Sequence, residues 1–328
     1  MPEKSPLYPL LLTPSLQVKV WGGRKLQDLM GKTLPTDAPY GEAWEVHDTS
    51  IVANGALAGQ TLGELLKLYG TDLVGEGNDP NEGFPLLAKI LDANDWLSIQ
   101  VHPNDEQALA LEGQPRGKTE AWVILDVEPN SQLIIGVKSG TSREEMAQAI
   151  RNNTLEELVV YANVKVGDVL YLPANTVHAL GPGLLIYEIQ QSSNTTYRLY
   201  DFGRMGLDGN PRELHIDKGV QVSNLDELPT IDHPDSGESP LLPIIAGEFF
   251  KTMLYHLELV QNVPLKIDTN NNRFHALTCI SGTATIRAGE HELTFTKGQT
   301  ALIPATIGIY SLSGTGDVLR SWQTYKES

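Results

Sequence analysis

Alternation of apolar and polar positions, the period of a β-strand, recurs along most of this chain. Ser15 to Val20 alternates and predicts a strand that ends in a turn at Trp21-Gly22-Gly23. Gly41 to Val46 predicts another, with Glu42 and Glu45 on opposite faces. Phe84 to Leu91 is an apolar run broken only by Lys89. A lysine in such a run either snorkels at a sheet edge or points into a site. Trp96 to Val101 sets Ser98, Gln100 and His102 on one face, with Leu97, Ile99 and Val101 on the other. A polar row opposite an apolar row suits a β-barrel wall that packs on one side and lines a cavity on the other. Thr119 to Asp126 resumes the pattern, with Glu120 at its mouth. Gly167 to Pro173 then leads to His178, which precedes the glycine-rich corner ending at Gly183, and Leu184 to Gln190 reads as the next strand.

Helical spacing occupies only short interludes. Thr61-x-x-Glu64 is a capping box that opens a helix carrying Leu62, Leu65, Leu66 and Leu68. Residues 104–112 predict a helical turn capped by Asn104 or Asp105, and Thr141-x-x-Glu144 and Thr154-x-x-Glu157 are two further capping boxes. Between Asn224 and Pro240 the chain is polar and punctuated by proline, as a linker would be. Beyond it, residues 247–326 predict short strands separated by turns at Asn270-Asn271-Asn272, Ser281-Gly282, Ala288-Gly289 and Lys297-Gly298. The pattern predicts a mainly β protein with a few short helices, divided into residues 1–225, which hold the helical insertions, and 241–328.

The two halves echo each other. Gly167 to His178 aligns without gaps on Gly298 to Ile309: the glycine, the proline and the following alanine coincide, while His178 faces Ile309. Duplication of a β unit, with chemistry kept in the first copy, predicts such a pairing.

Composition narrows the classes of function. The chain has 328 residues, 41% hydrophobic and 20% charged, which is ordinary for a globular protein. Its net charge of -17 argues against nucleic acid and anionic membrane as partners, because both require a basic face. An anionic substrate would have to be met by a local cluster of Lys and Arg. Cys279 is the single cysteine and stands among apolar neighbours, which predicts a buried, inert thiol, no intrachain disulfide and a reducing, cytoplasmic location. The N-terminus lacks the apolar core of a signal peptide.

Gln100, His102, Glu120 and His178 together offer an amide oxygen, a carboxylate and two imidazoles. That set suits zinc or another divalent first-row ion. Spacing alone leaves the choice open between a metal site and buried, satisfied core histidines, because Gln-x-His on a strand guarantees only projection from the same face. His47, His215, His233, His256, His275 and His291 show no ligand spacing.

Three stretches carry a resemblance. Ser-Ile-Gln-Val-His-Pro-Asn-Asp beginning at Ser98, Gly-Lys-Thr-Glu-Ala-Trp beginning at Gly117, and His178-Ala-Leu-Gly-Pro-Gly with the following Glu188-Ile-Gln-Gln-Ser-Ser-Asn-Thr-Thr-Tyr-Arg-Leu-Tyr-Asp resemble the signature motifs of type I mannose-6-phosphate isomerases in their short bacterial form. The resemblance runs from Trp21-Gly22-Gly23 to the second half of the chain. It implies two cupin, jelly-roll-like β-barrels: a catalytic metal-binding cupin in 1–225 and a second cupin in 241–328 that lacks the ligands. It implies one zinc ion per chain held by Gln100, His102, Glu120 and His178. The implied reaction interconverts mannose 6-phosphate and fructose 6-phosphate by proton transfer through an enediol, with Lys118, Glu188 and Arg198 as catalytic candidates. Ser98 and Lys89 are the candidates for the substrate phosphate. Arg204 has a plain structural alternative in pairing with Asp201. The competing classes are a non-catalytic metal- or sugar-binding cupin and another cupin metalloenzyme acting on a phosphosugar. A metal oxygenase fits less well, because that chemistry favours a redox ion on His and carboxylate ligands with open positions.

Overall fold

The computed structural model describes residues 4–235, 237, 239–260 and 263–324. Met1 to Glu3, and Ser236 and Glu238 of the predicted linker, lie outside these residues. The described chain is mainly β, as the alternation predicts, and two seven-stranded antiparallel sheets lie at its centre.

The first sheet runs Ile231–Asp232, Val169–Leu172, Glu120–Val127, Leu184–Gln191, Leu86–Ala93, Tyr40–Val46, Ser15–Gly23. The second runs Leu241–Ala246, Phe250–His256, Asp317–Gln323, His275–Cys279, Thr300–Ile303, Leu10–Thr13, Ile51–Val52. The first strand of the chain, Leu10–Thr13, therefore pairs with Thr300–Ile303 in the sheet built mainly from the second half. The two sheets share one apolar core, to which the first gives Ala43, Ala88, Ile90, Val123 and Ile189 and the second gives Ile245, Phe250, Ala276, Leu302 and Leu319.

The outer face of each sheet has its own cover. A three-stranded sheet and the pair Tyr197–Tyr200 with Ile99–Val101 face the first, and a four-stranded sheet, Leu265–Asp268, Ile309–Gly314, Thr283–Ala288, His291–Thr296, belongs to the second half. Each half is thus a sandwich of the jelly-roll kind. Their separate cores are filled by Trp21, Leu91, Trp122, Ile124 and Leu184 in the first and by Leu277, Cys279, Phe295, Tyr310 and Val318 in the second. Cys279 is buried and free, and burial pushes its thiol up to about 12.

Double-sided burial explains the apolar runs. All eight residues of Leu184–Gln191 are buried, as are all eight of Leu86–Ala93. Such strands alternate between two cores, and each fully buried Leu or Ile contributes ~1.5–3 kcal/mol. A polar residue in such a run has no edge at which to reach water, so Lys89 does not snorkel.

Several local expectations are corrected. Trp21-Gly22-Gly23 is not a turn but the end of the strand Ser15–Gly23. Its glycines allow close approach: a Cβ on Gly22 would lie 2.5 Å from the Gly41 nitrogen, and one on Gly23 would lie 2.6 Å from an Asp92 oxygen. Thr141-x-x-Glu144 is one residue out of register with the real box, in which Ser142 caps Arg143–Arg151 with Glu145. Thr154 opens only the short turn Leu155–Glu157 and makes no side-chain cap. The boxes at Thr61 with Glu64 and at Asn104 with Gln107 are both formed. The linker stretch contributes an edge strand, with Ile231–Asp232 on Val169–Leu170. The internal echo is structural: Val169–Leu172 and Thr300–Ile303 occupy matching positions after Gly167 and Gly298, which take φ of 89° and 80°.

Candidate active site

The first sheet presents one row of side chains to the interior of the first sandwich. Trp44 is paired with Lys89, Lys89 with Glu188, and Glu188 with Trp122, straight across four neighbouring strands. Lys89 Nζ lies 2.8 Å from Glu188 Oε1 and 2.7 Å from Gln190 Oε1, and Trp122 Nε1 donates to Glu188 Oε2 at 2.9 Å. Both oxygens of Glu188 are thereby held. Burial opposes the charge on Lys89, but Glu188 and Glu42 outweigh it and raise the ammonium above its ordinary value. Glu42 extends the chain of charges to Lys19 at 3.2 Å, and Trp44 Nε1 donates to it at 2.6 Å.

One register step away, Glu120 stands opposite Gln190 and is fully buried. Gln100 and His178 reach the same point from the facing side, joined by reciprocal backbone hydrogen bonds of 3.0 and 2.9 Å. His178 Nδ1 donates to the Thr176 carbonyl at 2.9 Å, and His102 Nδ1 to the Thr195 carbonyl at 2.9 Å. These bonds make Nδ1 the donor and leave Nε2 of each ring as the acceptor, with Lys118 Nζ 3.0 Å from that of His102 and Gln100 Nε2 3.2 Å from that of His178. Burial, with the Lys118 ammonium 3.0 Å away, holds His102 well below its ordinary value and keeps the ring neutral.

Both nitrogens lie beside an anion. His178 Nε2 is 3.2 Å from Glu120 Oε1, and His102 Nε2 is 3.6 Å from Glu120 Oε2. Burial disfavours the Glu120 charge, but the Lys118 ammonium outweighs it and holds the carboxylate well below the usual range. Neither of its oxygens accepts a well-directed hydrogen bond, although Lys118 Nζ is 2.6 Å from Oε2. Three acceptors gathered in a buried place around a single ammonium carry a large cost unless a further cation completes them. Ligands about 2.0–2.2 Å from a tetrahedral ion lie roughly 3.3–3.6 Å apart, so the spacing here fits one. His102, Glu120 and His178 keep their ligand atoms within 4.8 Å of one another and form the one such group among the described residues. Gln100 Nε2 lies 3.2 Å from His178 Nε2, and rotating the amide would put its oxygen there while turning the nitrogen toward Ser98 Oγ, now 3.4 Å from Oε1.

The group borders a cavity of about 390 Å³ lined by Trp21, Glu42, Trp44, Lys89, Ser98, Gln100, Lys118, Trp122, Glu188, Arg198 and Arg212, among others. The structure therefore brings together every residue singled out in the sequence: Gln100, His102, Glu120 and His178 at one point, and Lys118, Glu188, Arg198, Ser98 and Lys89 around the adjoining space. Arg198 Nη1 donates to the Glu213 carbonyl at 2.9 Å, and its Nε has no hydrogen-bond partner among the described residues. Arg204 turns away, to Asp201 at 2.8 Å and Asp95 at 3.2 Å. Sequence reasoning missed Arg212, whose Nε donates to Asp201 Oδ2 at 2.6 Å, and the wall residues Lys19, Trp21 and Trp44. Arg212 follows a turn in which the Gly209 amide donates to the Gly206 carbonyl, and it belongs to no motif, so only the fold reveals it.

Family models match two parts of the chain: phosphomannose isomerase type I, catalytic domain, over residues 10–121, and mannose-6-phosphate isomerase, cupin domain, over residues 237–323. The chain is 36% identical to the mannose-6-phosphate isomerase ManA of Bacillus subtilis over 320 residues, covering 95% of this chain and 98% of that protein. The chain belongs to the type I mannose-6-phosphate isomerase family. Another member, the mannose-6-phosphate isomerase of Streptococcus mutans, is 33% identical over 325 residues, covering 95% of this chain and 98% of that protein. Among solved structures, the mannose 6-phosphate isomerase of Bacillus subtilis superposes with a TM-score of 0.84 at 31% identity, over 95% of this chain and 99% of that one. A zinc-bound mannose 6-phosphate isomerase shares the fold, with a TM-score of 0.75 at 20% identity, over 97% of this chain and 100% of that one. Among the described residues no helix is long and apolar enough to cross a membrane.

Proposed function

We propose that this chain interconverts mannose 6-phosphate and fructose 6-phosphate, with one zinc ion per chain held by Gln100, His102, Glu120 and His178. Membership of the family supports the reaction. The observation that carries the site is the convergence of two imidazole Nε2 atoms on a buried carboxylate, with one ammonium, that of Lys118, among the three acceptors, beside a cavity rich in cations. When bound, the ion supplies a Lewis acid next to the reacting carbons.

The chain's own groups account for the proton movements. Aldose-to-ketose conversion takes a proton from C2, gives one to C1 and transfers a hydroxyl proton between O2 and O1. Glu188 and Glu42 both line the cavity with both oxygens held; Glu188, fixed by Lys89 and Trp122 on the strand that also faces Glu120, is the one to which we assign the carbon-bound proton. Lys118 carries an ammonium at the boundary between the ligand group and the cavity, where it offsets negative charge developing on the substrate oxygens. Arg198 adds a guanidinium that pairs with no carboxylate among the described residues and so has charge to give to substrate.

The placement of Lys89, committed to Glu188 and Gln190, supports the role of counter-ion to Glu188. Ser98 remains in place for the phosphate, and Arg212, fixed from behind by Asp201, supplies a second positive charge at the Arg198 side of the cavity.

Incubation with mannose 6-phosphate in deuterated water tests the reaction. The enediol route yields fructose 6-phosphate that carries solvent deuterium at C1 by the time equilibrium is reached. Absence of product, or product without deuterium, contradicts the reading.

A further inference from the structure

The wall that carries Glu188 has a second face. Residues alternating with Trp44, Lys89, Glu188 and Trp122 point away from the cavity into the core shared with the second sheet. That core is apolar except where buried polar side chains cross it. Tyr187 OH lies 2.9 Å from Ser321 Oγ, which lies 2.8 Å from Thr252 Oγ1. Thr300 Oγ1 donates to Glu45 Oε2 at 3.0 Å and meets Thr278 Oγ1 at 3.0 Å. Lys32 Nζ sits 2.5 Å from Glu45 Oε1 and donates to the Gly298 carbonyl at 2.6 Å. Tyr187, Thr252, Thr278, Thr300 and Ser321 are fully buried and Glu45 is 1% exposed.

These crossings fall next to the reacting wall in sequence. Tyr187 adjoins Glu188 on the same strand, and Glu45 adjoins Trp44. Pairing in the strand Tyr40–Val46 is irregular between Trp44, opposite Lys89, and Val46, opposite Ala88. Glu45, the residue without a partner at this irregularity, faces the shared core, opposite to Trp44. Stability alone does not call for this arrangement, because a buried polar pair replaced by well-packed apolar groups is often neutral or stabilising. Apolar contact is non-directional and leaves two sheets free to settle in slightly different registers. Hydrogen bonds of defined length fix one register, and catalysis is sensitive to displacements of the order of 1 Å.

We propose that Tyr187 and Glu45 are positioning residues, through which the second β body sets the placement of the wall that carries Glu188, Lys89 and Trp44. The proposal rests on the catalytic reading of Glu188 given above. Burial pushes the Tyr187 phenol up to about 12, so it remains a neutral hydroxyl, able to donate, across the working pH range.

The test is a double-mutant cycle on turnover in the metal-loaded full chain, with Tyr187→Phe, Ser321→Ala and the double variant, alongside Glu188→Gln. With mannose 6-phosphate, each single variant lowers kcat about tenfold, leaves KM within about twofold and retains its metal, and the double variant is no slower than either single one. Thr300→Val, a mild probe of the second crossing, lowers kcat in the same sense. Singles that melt earlier but turn over at the wild-type rate well below their melting temperatures overturn the proposal, as do losses that simply add in the double variant. Wild-type turnover by Glu188→Gln sinks the underlying reading and this proposal with it. That outcome is distinct from failure of the proposal alone, in which Glu188→Gln is slow and Tyr187→Phe is not.

Discussion

Replacing Lys89 by methionine separates two jobs that its position on an apolar strand leaves open, phosphate contact and support of Glu188. Lys89 is 6% exposed, and its ammonium is 2.8 Å from Glu188 Oε1. At an effective dielectric of about 20 that separation corresponds to roughly 6 kcal/mol of gross attraction. Removing one partner of a buried pair costs about 3–5 kcal/mol, since the other charge stays behind without compensation. Here two carboxylates, Glu188 and Glu42, lose their shared cation. A carboxylate in that position takes up a proton more readily, and a protonated Glu188 cannot act as a base. Lys89→Met is therefore expected to unfold at lower denaturant, to lose kcat at neutral pH, and to recover part of the rate as pH rises, with the acid limb of the kcat profile displaced upward. Lys89→Arg keeps the charge and retains more of the neutral-pH rate. Steady-state kinetics across pH, with metal content measured on the same samples, decide the matter. A variant with raised KM, unchanged kcat and an unmoved acid limb would refute the reasoning and return Lys89 to the phosphate end of the substrate.

His178→Ala removes one of the two imidazoles and is expected to lose bound metal and activity together while remaining folded; a metal-replete, active variant contradicts the assignment, and metal analysis with circular dichroism checks it. Lys118→Met and Arg198→Ala are each expected to lower kcat by about 10²–10³-fold with the metal retained, and kinetics at saturating substrate read the effect. Asp92 gives a pH prediction away from the site. Burial raises its carboxyl to about 6 from 3.8, even though it accepts the Lys25 amide at 2.6 Å. The folded state then binds this proton more tightly than the unfolded one, so stability falls as pH rises from about 4 to about 6 and is level above. Asp92→Asn removes that slope, and urea midpoints measured across the interval show whether it does.

Much of the fold was legible in the alternation of the strands, because each half is built on sheets whose two faces meet different surroundings. Glu42 and Glu45 were separable by parity, and they do go to the cavity and the shared core. Parity could not show what each face meets: Lys89 reads as a snorkelling residue until its strand is seen to lie inside the first sheet, between Tyr40–Val46 and Leu184–Gln191. The gathering of Gln100, His102, Glu120 and His178 was readable because each lies in a local motif on or beside a strand. Arg212 was not, since a loop residue acquires its place only when the chain folds back over Asp201. Nor did the pattern reveal that Leu10–Thr13 completes the sheet of the second half, as strand pairing over nearly three hundred residues leaves no local trace. The helix boxes failed where Ser142, one position along, made the better cap.

Metal dependence of turnover tests the central claim most directly. Mannose 6-phosphate is supplied to the protein as purified, after removal of metal by a chelator, and after zinc is restored, with fructose 6-phosphate measured by a coupled assay and metal counted per chain. The account predicts turnover that vanishes with the metal, returns with zinc and saturates at one ion per chain. Undiminished turnover in metal-free protein, or no fructose 6-phosphate from the metal-loaded chain, would contradict it.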